Sequence, residues 1–191
     1  MFTNKVKKLI LASNSPRRSQ ILRDAGFTFE VRSKNVEEIY PESTPLEDIP
    51  VYLAQLKVEA FKSELKSDEI ILSADTIVLH DGQVLGKPKD INDAIEMLKK
   101  LSGSSHEVVS GVCILSKEKV IIIKDLTKVY FRELSDGEIE YYVSTFKPLD
   151  KAGSYGIQEW IGMTGVEKIE GSFYNVMGLP IDKVYRKLIQ F

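Results

Sequence analysis

The sequence predicts an α/β fold in which a central, mixed and twisted β-sheet is flanked by helices. Long apolar runs rich in β-branched residues, such as 69–79, predict buried strands. Segments with apolar residues at helical spacing, such as 90–101, follow capping residues and predict helices. Because strands and helices mix along the chain without strict alternation, the pattern favours a mixed sheet over a purely parallel one.

The bulk composition is that of a globular protein. The chain has 191 residues, of which 43% are hydrophobic and 28% are charged. This length fits one large domain or two small lobes around one cleft, and we treat 1–191 as a single domain. The formal net charge of −2 gives no general attraction to nucleic acid or to a membrane. Any bound anion must therefore be held by a local cluster of cations.

The sequence also bears on cellular location. Cys113 is the single cysteine, so an internal disulfide is excluded, and its apolar neighbours indicate a small core residue. The apolar stretch 9–12 is too short for a signal peptide, and no run approaches transmembrane length. We expect a cytoplasmic protein.

The strand pattern covers most of the chain. Strands are expected at 8–13, 28–32, 69–79, 84–85, 106–115, 120–131 and 166–169. The Asp81-Gly82 dipeptide is a hairpin signal that connects two of them.

Capping signals place the helices. Helices are expected at 16–25, 45–65, 90–101, 136–144 and 180–189. Two of them open on capping boxes, Thr44 to Glu47 and Ser135 to Glu138. The glycine-rich stretch 148–165 is expected to be irregular.

The first candidate site is the helix start Ser15-Pro16-Arg17-Arg18. A helix N-terminus carries partial positive charge and free N–H groups, so acidic residues are favoured there and two arginines are out of place. An anion would complete such a site, because arginine forks match phosphate oxygens. The alternative is two exposed arginines paired with carboxylates elsewhere.

The second candidate is Asp75, which lies inside the apolar run 70–79. A carboxylate in a buried strand is costly unless it is paired, hydrogen-bonded or bound to a metal. The position suits a general base or a metal ligand. The alternative is an aspartate at a strand edge that faces solvent.

Four further residues are weaker signals. Glu37 and Glu38 are adjacent carboxylates on a loop, which could hold Mg²⁺ beside phosphates but are also common on surfaces. Lys87 follows a strand in Gly86-Lys87-Pro88 and could bind phosphate as a point charge. Lys57 lies beside an apolar helix face, where it could simply extend to water.

Other chemistries find little support. His80 and His106 lack metal-ligand spacing, and the sequence contains no phosphate-binding Walker loop and no dinucleotide-binding glycine motif. Tyr155 and Trp160 could line a base pocket, although packing under a loop is at least as good an explanation.

The motifs in this order resemble the Maf family of nucleoside triphosphate pyrophosphatases over nearly the whole chain. The most specific blocks are the opening segment 9–18 and the segment 150–158. The remaining motifs are 36–38, 54–57, 74–76, 86–88, 101–103 and 176–180. Ser73, where many members have glycine, and Val58 are mild departures.

The resemblance implies a fold with two lobes around a deep cleft, and hydrolysis of a nucleoside triphosphate to monophosphate and pyrophosphate. It implies a divalent cation, Mg²⁺ or Mn²⁺, and a homodimer. The resemblance implies that Asp75 is the proton acceptor and that Glu37 is a second acidic catalytic residue. It also implies that Asp75 and Glu37 are the metal ligands. The residues that it implies for binding the substrate phosphates are Ser13, Arg18, Lys57 and Lys87.

Three positions sort the family by substrate, and here they are Arg17, Thr76 and Gln158. They match the branch acting on dTTP and UTP, and a glutamine amide suits a uracil or thymine edge because it both donates and accepts. Modified pyrimidine nucleotides are further candidates. The alternatives are a 7-methyl-GTP pyrophosphatase, whose branch has other residues at these positions, and a non-enzymatic nucleotide- or nucleic-acid-binding regulator of septum formation. The absence of a basic stripe argues against nucleic acid.

Overall fold

A computed structural model describes residues 7–191, and within that range the chain forms seven strands and seven α-helices. The strands are β1 (Lys8–Leu11), β2 (Phe29–Val31), β3 (Glu69–His80), β4 (Gln83–Leu85), β5 (Ser105–Leu115), β6 (Val120–Phe131) and β7 (Val166–Glu170). The helices are α1 (Pro16–Asp24), α2 (Ile49–Glu59), α3 (Ile91–Leu101), α4 (Asp136–Phe146), α5 (Trp160–Gly165), α6 (Phe173–Val176) and α7 (Ile181–Leu188).

The strands form one mixed sheet in the order β2-β1-β3-β5-β6-β7, with β4 paired to β3. β1 runs parallel to both β2 and β3, whereas β4 is antiparallel to β3 and β7 is antiparallel to β6. In the register of β1 and β3, Leu11 lies opposite Leu72, three residues before Asp75. The predicted α/β class with a mixed sheet and flanking helices is confirmed.

β3 is buried because it lies inside the sheet, between β1 and β5. Most of its residues are buried, as a near-continuous apolar run requires when both faces are covered. Much of β6 alternates between exposed and buried positions, as expected for a strand with one solvated face.

The described chain divides into two compact units. The first takes in the chain up to Thr76, Ser110–Asp125 and Gly178–Phe191, and the second takes in Ile77–Val109 and Leu126–Met177. Each unit has its own apolar core. The core of the first includes Ile10, Ala54, Val58, Ile71 and Cys113, and that of the second includes Leu98, Val129, Phe131, Ile139 and Tyr142.

The predicted start of α2 is wrong. Pro45 and its neighbours lead into a 3₁₀ turn at Leu46–Asp48, and α2 begins at Ile49, without a side-chain cap. The physical reason is Pro50, which lacks an N–H and is tolerated only in the first helical turn, so the helix begins immediately before it. α2 also ends at Glu59, earlier than the predicted 65.

The predicted starts of α1 and α4 are confirmed. Ser15 caps α1 with Pro16 at its first position, and the capping box of Ser135 and Glu138 opens α4. The segment 148–165 is less irregular than expected, because it contains a 3₁₀ turn at Ala152–Ser154 and the short helix α5. Among the described residues, no helix is both long and apolar enough to cross a membrane.

Candidate functional site

The start of α1 has the geometry that its sequence predicts. The Ser15 side chain accepts a hydrogen bond from the Arg18 backbone N–H at 3.5 Å, and Ser13 Oγ accepts one from the Ser15 N–H at 3.2 Å. The first turn carries no acidic residue. The helix start therefore presents partial positive charge together with the side chains of Arg17 and Arg18, both of which are half-buried.

Arg18 is fixed by three hydrogen bonds to neutral oxygens. Nε donates to the Gly178 carbonyl at 2.9 Å, Nη1 to Ser13 Oγ at 3.3 Å and Nη2 to Thr76 Oγ1 at 3.2 Å. Gly178 has a φ of 110°, a conformation that other residues adopt only with strain. These partners orient the guanidinium without neutralising its charge.

Arg18 keeps its charge although its surroundings lower its pKa. Burial lowers the pKa of the guanidinium, Asp75 raises it and Arg17 lowers it again, with a net change downward. Arginine starts from so high a pKa that it stays protonated at neutral pH. A positive charge that is partly removed from water and lacks an opposite charge in its hydrogen bonds favours a bound anion.

Asp75 lies next to Lys57. Lys57 Nζ donates to Asp75 Oδ1 at 2.5 Å, and the two side chains are 17% and 14% exposed. The buried-strand carboxylate is therefore paired, as its burial demands. Lys57 does not extend to bulk water along its helix; its ammonium points to the carboxylate.

Glu38 is the second acidic partner of Lys57. Glu38 Oε1 lies 2.9 Å from Lys57 Nζ, and its side chain is 53% exposed. The Glu37 side chain is exposed, and the backbone carbonyl of Glu37 accepts from Ile39. The structure thus brings Glu38 to the cluster, whereas the role assigned to Glu37 from the sequence stays a prediction.

Two contacts fix the helix that carries Lys57. The Ser73 hydroxyl, on β3, donates to the Ala54 carbonyl on α2 at 2.5 Å. A Cβ placed on Gly111, in β5, would lie 2.2 Å from the Val51 backbone nitrogen, so only glycine permits this approach of the helix to the strand. The two strands therefore determine where α2 places Lys57.

Thr76 belongs to the same group of side chains. Its Oγ1 lies 2.8 Å from Ser110 Oγ and also accepts from Arg18. Within the first unit the structure therefore brings together five of the residues singled out from the sequence. They are Ser13, Arg18, Lys57, Asp75 and Thr76.

Lys87 and Gln158 belong to the second unit, and both are exposed. Within that unit the Gly86 carbonyl accepts from the Gly153 N–H at 3.1 Å. This bond joins the loop that carries Lys87 to the glycine-rich segment that leads to Gln158.

The acidic side chains around Lys57 form the donor set available to a divalent cation. Among residues 7–191, no group of three or more histidine, cysteine, aspartate or glutamate side chains could hold a metal ion. Asp75 and Glu38, however, each have an oxygen within 3 Å of the same Lys57 ammonium, so two carboxylates converge on one cationic position. This donor set fits Mg²⁺, which commonly uses one or two carboxylates together with phosphate oxygens and water.

Other candidates from the sequence are core residues. Tyr155 is buried, and its hydroxyl lies 2.7 Å from His106 Nε2, so packing is the better account of this tyrosine. Burial raises the pKa of the Cys113 thiol to about 11, which makes it a poor nucleophile. Trp160 is partly buried against the core of the second unit and packs edge-on to Tyr141.

The family described as Maf-like protein matches residues 8–191. A dTTP/UTP pyrophosphatase from Flavobacterium johnsoniae is 50% identical over 190 residues, covering 98% of this chain and 98% of that protein. A dTTP/UTP pyrophosphatase from Phocaeicola vulgatus is 50% identical over 182 residues, covering 95% and 94%.

A solved structure, the Ham1 protein of Staphylococcus aureus, matches with a TM-score of 0.46 at 17% identity, covering 68% of this chain and 73% of that one. A likeness at that level assigns no function. The family match over residues 8–191 and the relatives at 50% identity are sufficient by themselves: the chain belongs to the Maf family.

Proposed function

We propose that this protein hydrolyses nucleoside triphosphates, with dTTP and UTP as its substrates, to the monophosphate and pyrophosphate. The observation that carries the proposal is the group formed by Arg18, Lys57 and Asp75, in which two cationic side chains lie near a mostly buried carboxylate. The curated relatives at 50% identity, named dTTP/UTP pyrophosphatases, support the substrate class.

The cations bind the triphosphate. Arg18 has a fixed guanidinium whose hydrogen-bond partners are neutral, and the N–H groups of the first turn of α1 add donors. Lys57 moves from its two carboxylates to the phosphates when the triphosphate binds. The resemblance assigns a further phosphate contact to Lys87. Ser13 contributes by holding Arg18 in place.

Asp75 acts on the attacking water. Its carboxylate orients the water and accepts a proton while the water oxygen bonds to the α-phosphorus. The bond from the α-phosphorus to its bridging oxygen breaks, and pyrophosphate leaves. Before substrate binds, Lys57 Nζ lies 2.5 Å from Asp75 Oδ1 and holds this carboxylate in position.

A divalent cation, Mg²⁺ or Mn²⁺, belongs to the proposal. Asp75 and Glu38 would hold it, and Glu37 on the same loop remains the candidate that the sequence indicates. Bound there, the cation neutralises charge on the phosphate oxygens. Asp75 would then serve as both ligand and base, and Lys57 would be displaced from between the two carboxylates.

Base selection is assigned to Arg17, Thr76 and Gln158. The Gln158 amide can donate to the carbonyl of a uracil or thymine and accept from its N–H. Thr76 has its hydroxyl fixed by Ser110 and Arg18, so its position is set before a nucleotide binds. We further propose that the protein is a cytoplasmic homodimer; the free, buried Cys113 suits a reducing compartment.

The test is pyrophosphate release from dTTP, UTP, CTP, GTP and 7-methyl-GTP at equal concentrations, each with Mg²⁺ or Mn²⁺. We expect dTTP and UTP to be hydrolysed fastest. Faster hydrolysis of 7-methyl-GTP would contradict the assignment of Arg17, Thr76 and Gln158. No release from any nucleotide would contradict the enzymatic function and favour a regulator that binds without hydrolysis.

The Asp75→Asn variant tests the catalytic role of Asp75 with the same nucleotides. It preserves the shape of the side chain but removes its charge and basicity, so UTP turnover should fall by about 10²- to 10⁴-fold. Wild-type turnover in this variant would refute the role of Asp75. An unchanged thermal unfolding midpoint would show that the loss is chemical.

A further inference from the structure

The segment that carries Gln158 is held at both ends by one hydrogen-bonded network within the second unit. The Gly156 N–H donates to Tyr142 Oη at 3.0 Å, and the Tyr142 hydroxyl donates to Glu159 Oε2. The other oxygen of that carboxylate, Oε1, lies 3.2 Å from Lys151 Nζ. A tyrosine from α4 thus ties residue 156 to residue 159.

The network is shielded from water. Tyr142 is completely buried, Lys151 is 8% exposed and the Glu159 side chain is 19% exposed. Burial raises the pKa of the Tyr142 hydroxyl, so it remains a hydrogen-bond donor at neutral pH. The charge of Lys151 is balanced by Glu159 and by Asp150, whose Oδ1 lies at 2.7 Å. Hydrogen bonds between charged groups with little access to water hold their geometry tightly.

The residues between the two ties are also fixed. Ile157 is buried, and a Cβ on Gly162 would lie 1.8 Å from the Ile157 carbonyl oxygen, so α5 packs directly against this backbone. Gln158 is exposed. Gln158 is the single exposed residue in the 156–159 segment. The residues on either side of it, Ile157 and Glu159, are fixed by the contacts described above.

The amide of Gln158 lies over Gly156. A Cβ on Gly156 would be 3.0 Å from Gln158 Nε2 and 2.9 Å from the carboxyl carbon of Glu159. The amide and the carboxylate therefore pack against the same glycine, and the position of one limits the position of the other.

From this geometry we propose that Tyr142 and Glu159, together with Lys151, are positioning residues that orient the Gln158 amide for the recognition of uracil or thymine against cytosine. The inference rests on the proposed function, which it deepens. Uracil and cytosine present opposite donor and acceptor patterns, with a carbonyl on one and an amino group on the other. An amide that is free to rotate by 180° serves both bases, because its two ends are nearly the same shape. Only an oriented amide discriminates between them.

The test compares kcat/KM for UTP and CTP in Tyr142→Phe with the same ratio in the wild type. The phenylalanine keeps the ring in the core and removes the hydroxyl that joins Gly156 to Glu159. We expect the preference for UTP to fall by about 10-fold, the effect of losing one buried hydrogen bond. The fall should appear mainly as a higher KM for UTP, since no group that contacts the reacting phosphorus is altered.

Tyr141→Phe is the matched control. Tyr141 precedes Tyr142 on α4, is 51% exposed and contacts Trp160 through its ring, which phenylalanine retains. Its UTP preference should equal that of the wild type. Glu159→Gln is the second variant: it can still accept from Tyr142 but loses the charge that pairs with Lys151, and its preference should fall by a smaller factor. It also decides the question if Tyr142→Phe does not fold.

The outcomes separate the two proposals. Folded variants that retain the wild-type UTP preference would overturn the positioning role. Equal losses for UTP and CTP would also overturn it, because a merely structural role lowers both activities together. Wild-type protein that releases no pyrophosphate from any nucleotide would overturn the proposed function, and the positioning role with it.

Discussion

At the level of single residues, Glu37 and Glu38 separate what the sequence indicates from what the structure shows. The sequence assigns the acidic role to Glu37, whereas Glu38 Oε1 lies 2.9 Å from Lys57 Nζ. Adjacent residues on a loop have no fixed periodicity, so the sequence alone could not decide which carboxylate turns toward Asp75. In a helix or a strand the period would have decided it.

The two glutamates give a direct prediction. Glu38→Gln should lower turnover of UTP by about 10-fold or more, because it removes one of the two carboxylates that converge on Lys57 and reduces affinity for the divalent cation. Glu37→Gln, its neighbour and control, should change turnover by less. Titration of the rate with Mn²⁺ measures both effects, and a larger loss in Glu37→Gln would restore the assignment made from the sequence.

His106 leads to a second prediction at the level of single residues, which concerns the pH dependence of stability. Burial, with a smaller contribution from the nearby His80, lowers the pKa of His106 to about 3. In the unfolded chain the same group titrates near its ordinary value of about 6.5. As the pH falls below about 6.5, the unfolded state therefore binds a proton that the native state does not, and stability decreases.

His106→Gln isolates this effect, because glutamine can still meet the Tyr155 hydroxyl but does not titrate. Between about pH 8 and about pH 5, the free energy of unfolding of the wild type should fall by about 2 kcal/mol more than that of the variant. Urea unfolding at the two pH values measures the difference. Equal losses in both proteins would show that His106 does not contribute.

At the level of elements, α2 depends on contacts that a sequence pattern does not reveal. The capping box at 44–47 suggested a helix start, but Pro50 moved it to Ile49. The position of α2 is set by Ser73 and Gly111, which lie 19 and about 60 residues away from the parts of α2 that they meet. Local signals predicted the strands and most helix caps well, since these depend on neighbours in sequence.

Gly111→Ala tests the close approach of β5 to α2. The new methyl group would lie 2.2 Å from the Val51 nitrogen, which is backbone and cannot rotate away. The strand and the helix would have to separate, at a cost of about 3 kcal/mol in the free energy of unfolding. Because Lys57 lies on the same helix, UTP turnover should fall as well.

Gly137→Ala is the control for that substitution. Gly137 lies in α4, and a Cβ there meets no atom within 4 Å. Alanine in a helix is favoured over glycine by up to about 1 kcal/mol, so this variant should be as stable as the wild type or more stable. If Gly111→Ala were equally stable, the backbone contact would not be as tight as described.

For the whole molecule, the sequence predicted more about class than about long-range contacts. The mixed sheet, the helices around it and the family all followed from local patterns and motif order. The network of Tyr142, Glu159 and Lys151 could not be predicted from the sequence, because none of the three residues belongs to a recognisable local pattern. The bonds become visible only when α4 and the segment 151–159 are placed in space. The predicted deep cleft and the single domain remain predictions.

The single-domain prediction can be tested through unfolding. The strands β3, β5 and β6 each contribute residues to both compact units, so neither unit is a separate stretch of chain. Unfolding one unit would break strands that the other also needs. We therefore expect one cooperative transition in urea rather than two.

Trp160 provides the probe, because it is the one tryptophan in the sequence and lies in the second unit. In a Trp160→Phe/Tyr52→Trp variant the probe moves to α2 in the first unit, at a position that is 36% exposed. Each protein's fluorescence midpoint should coincide with the midpoint of its own far-ultraviolet circular dichroism, which follows both units. A fluorescence midpoint that departs from the dichroism midpoint in either protein would mean that the units unfold separately, and the chain would then be two domains.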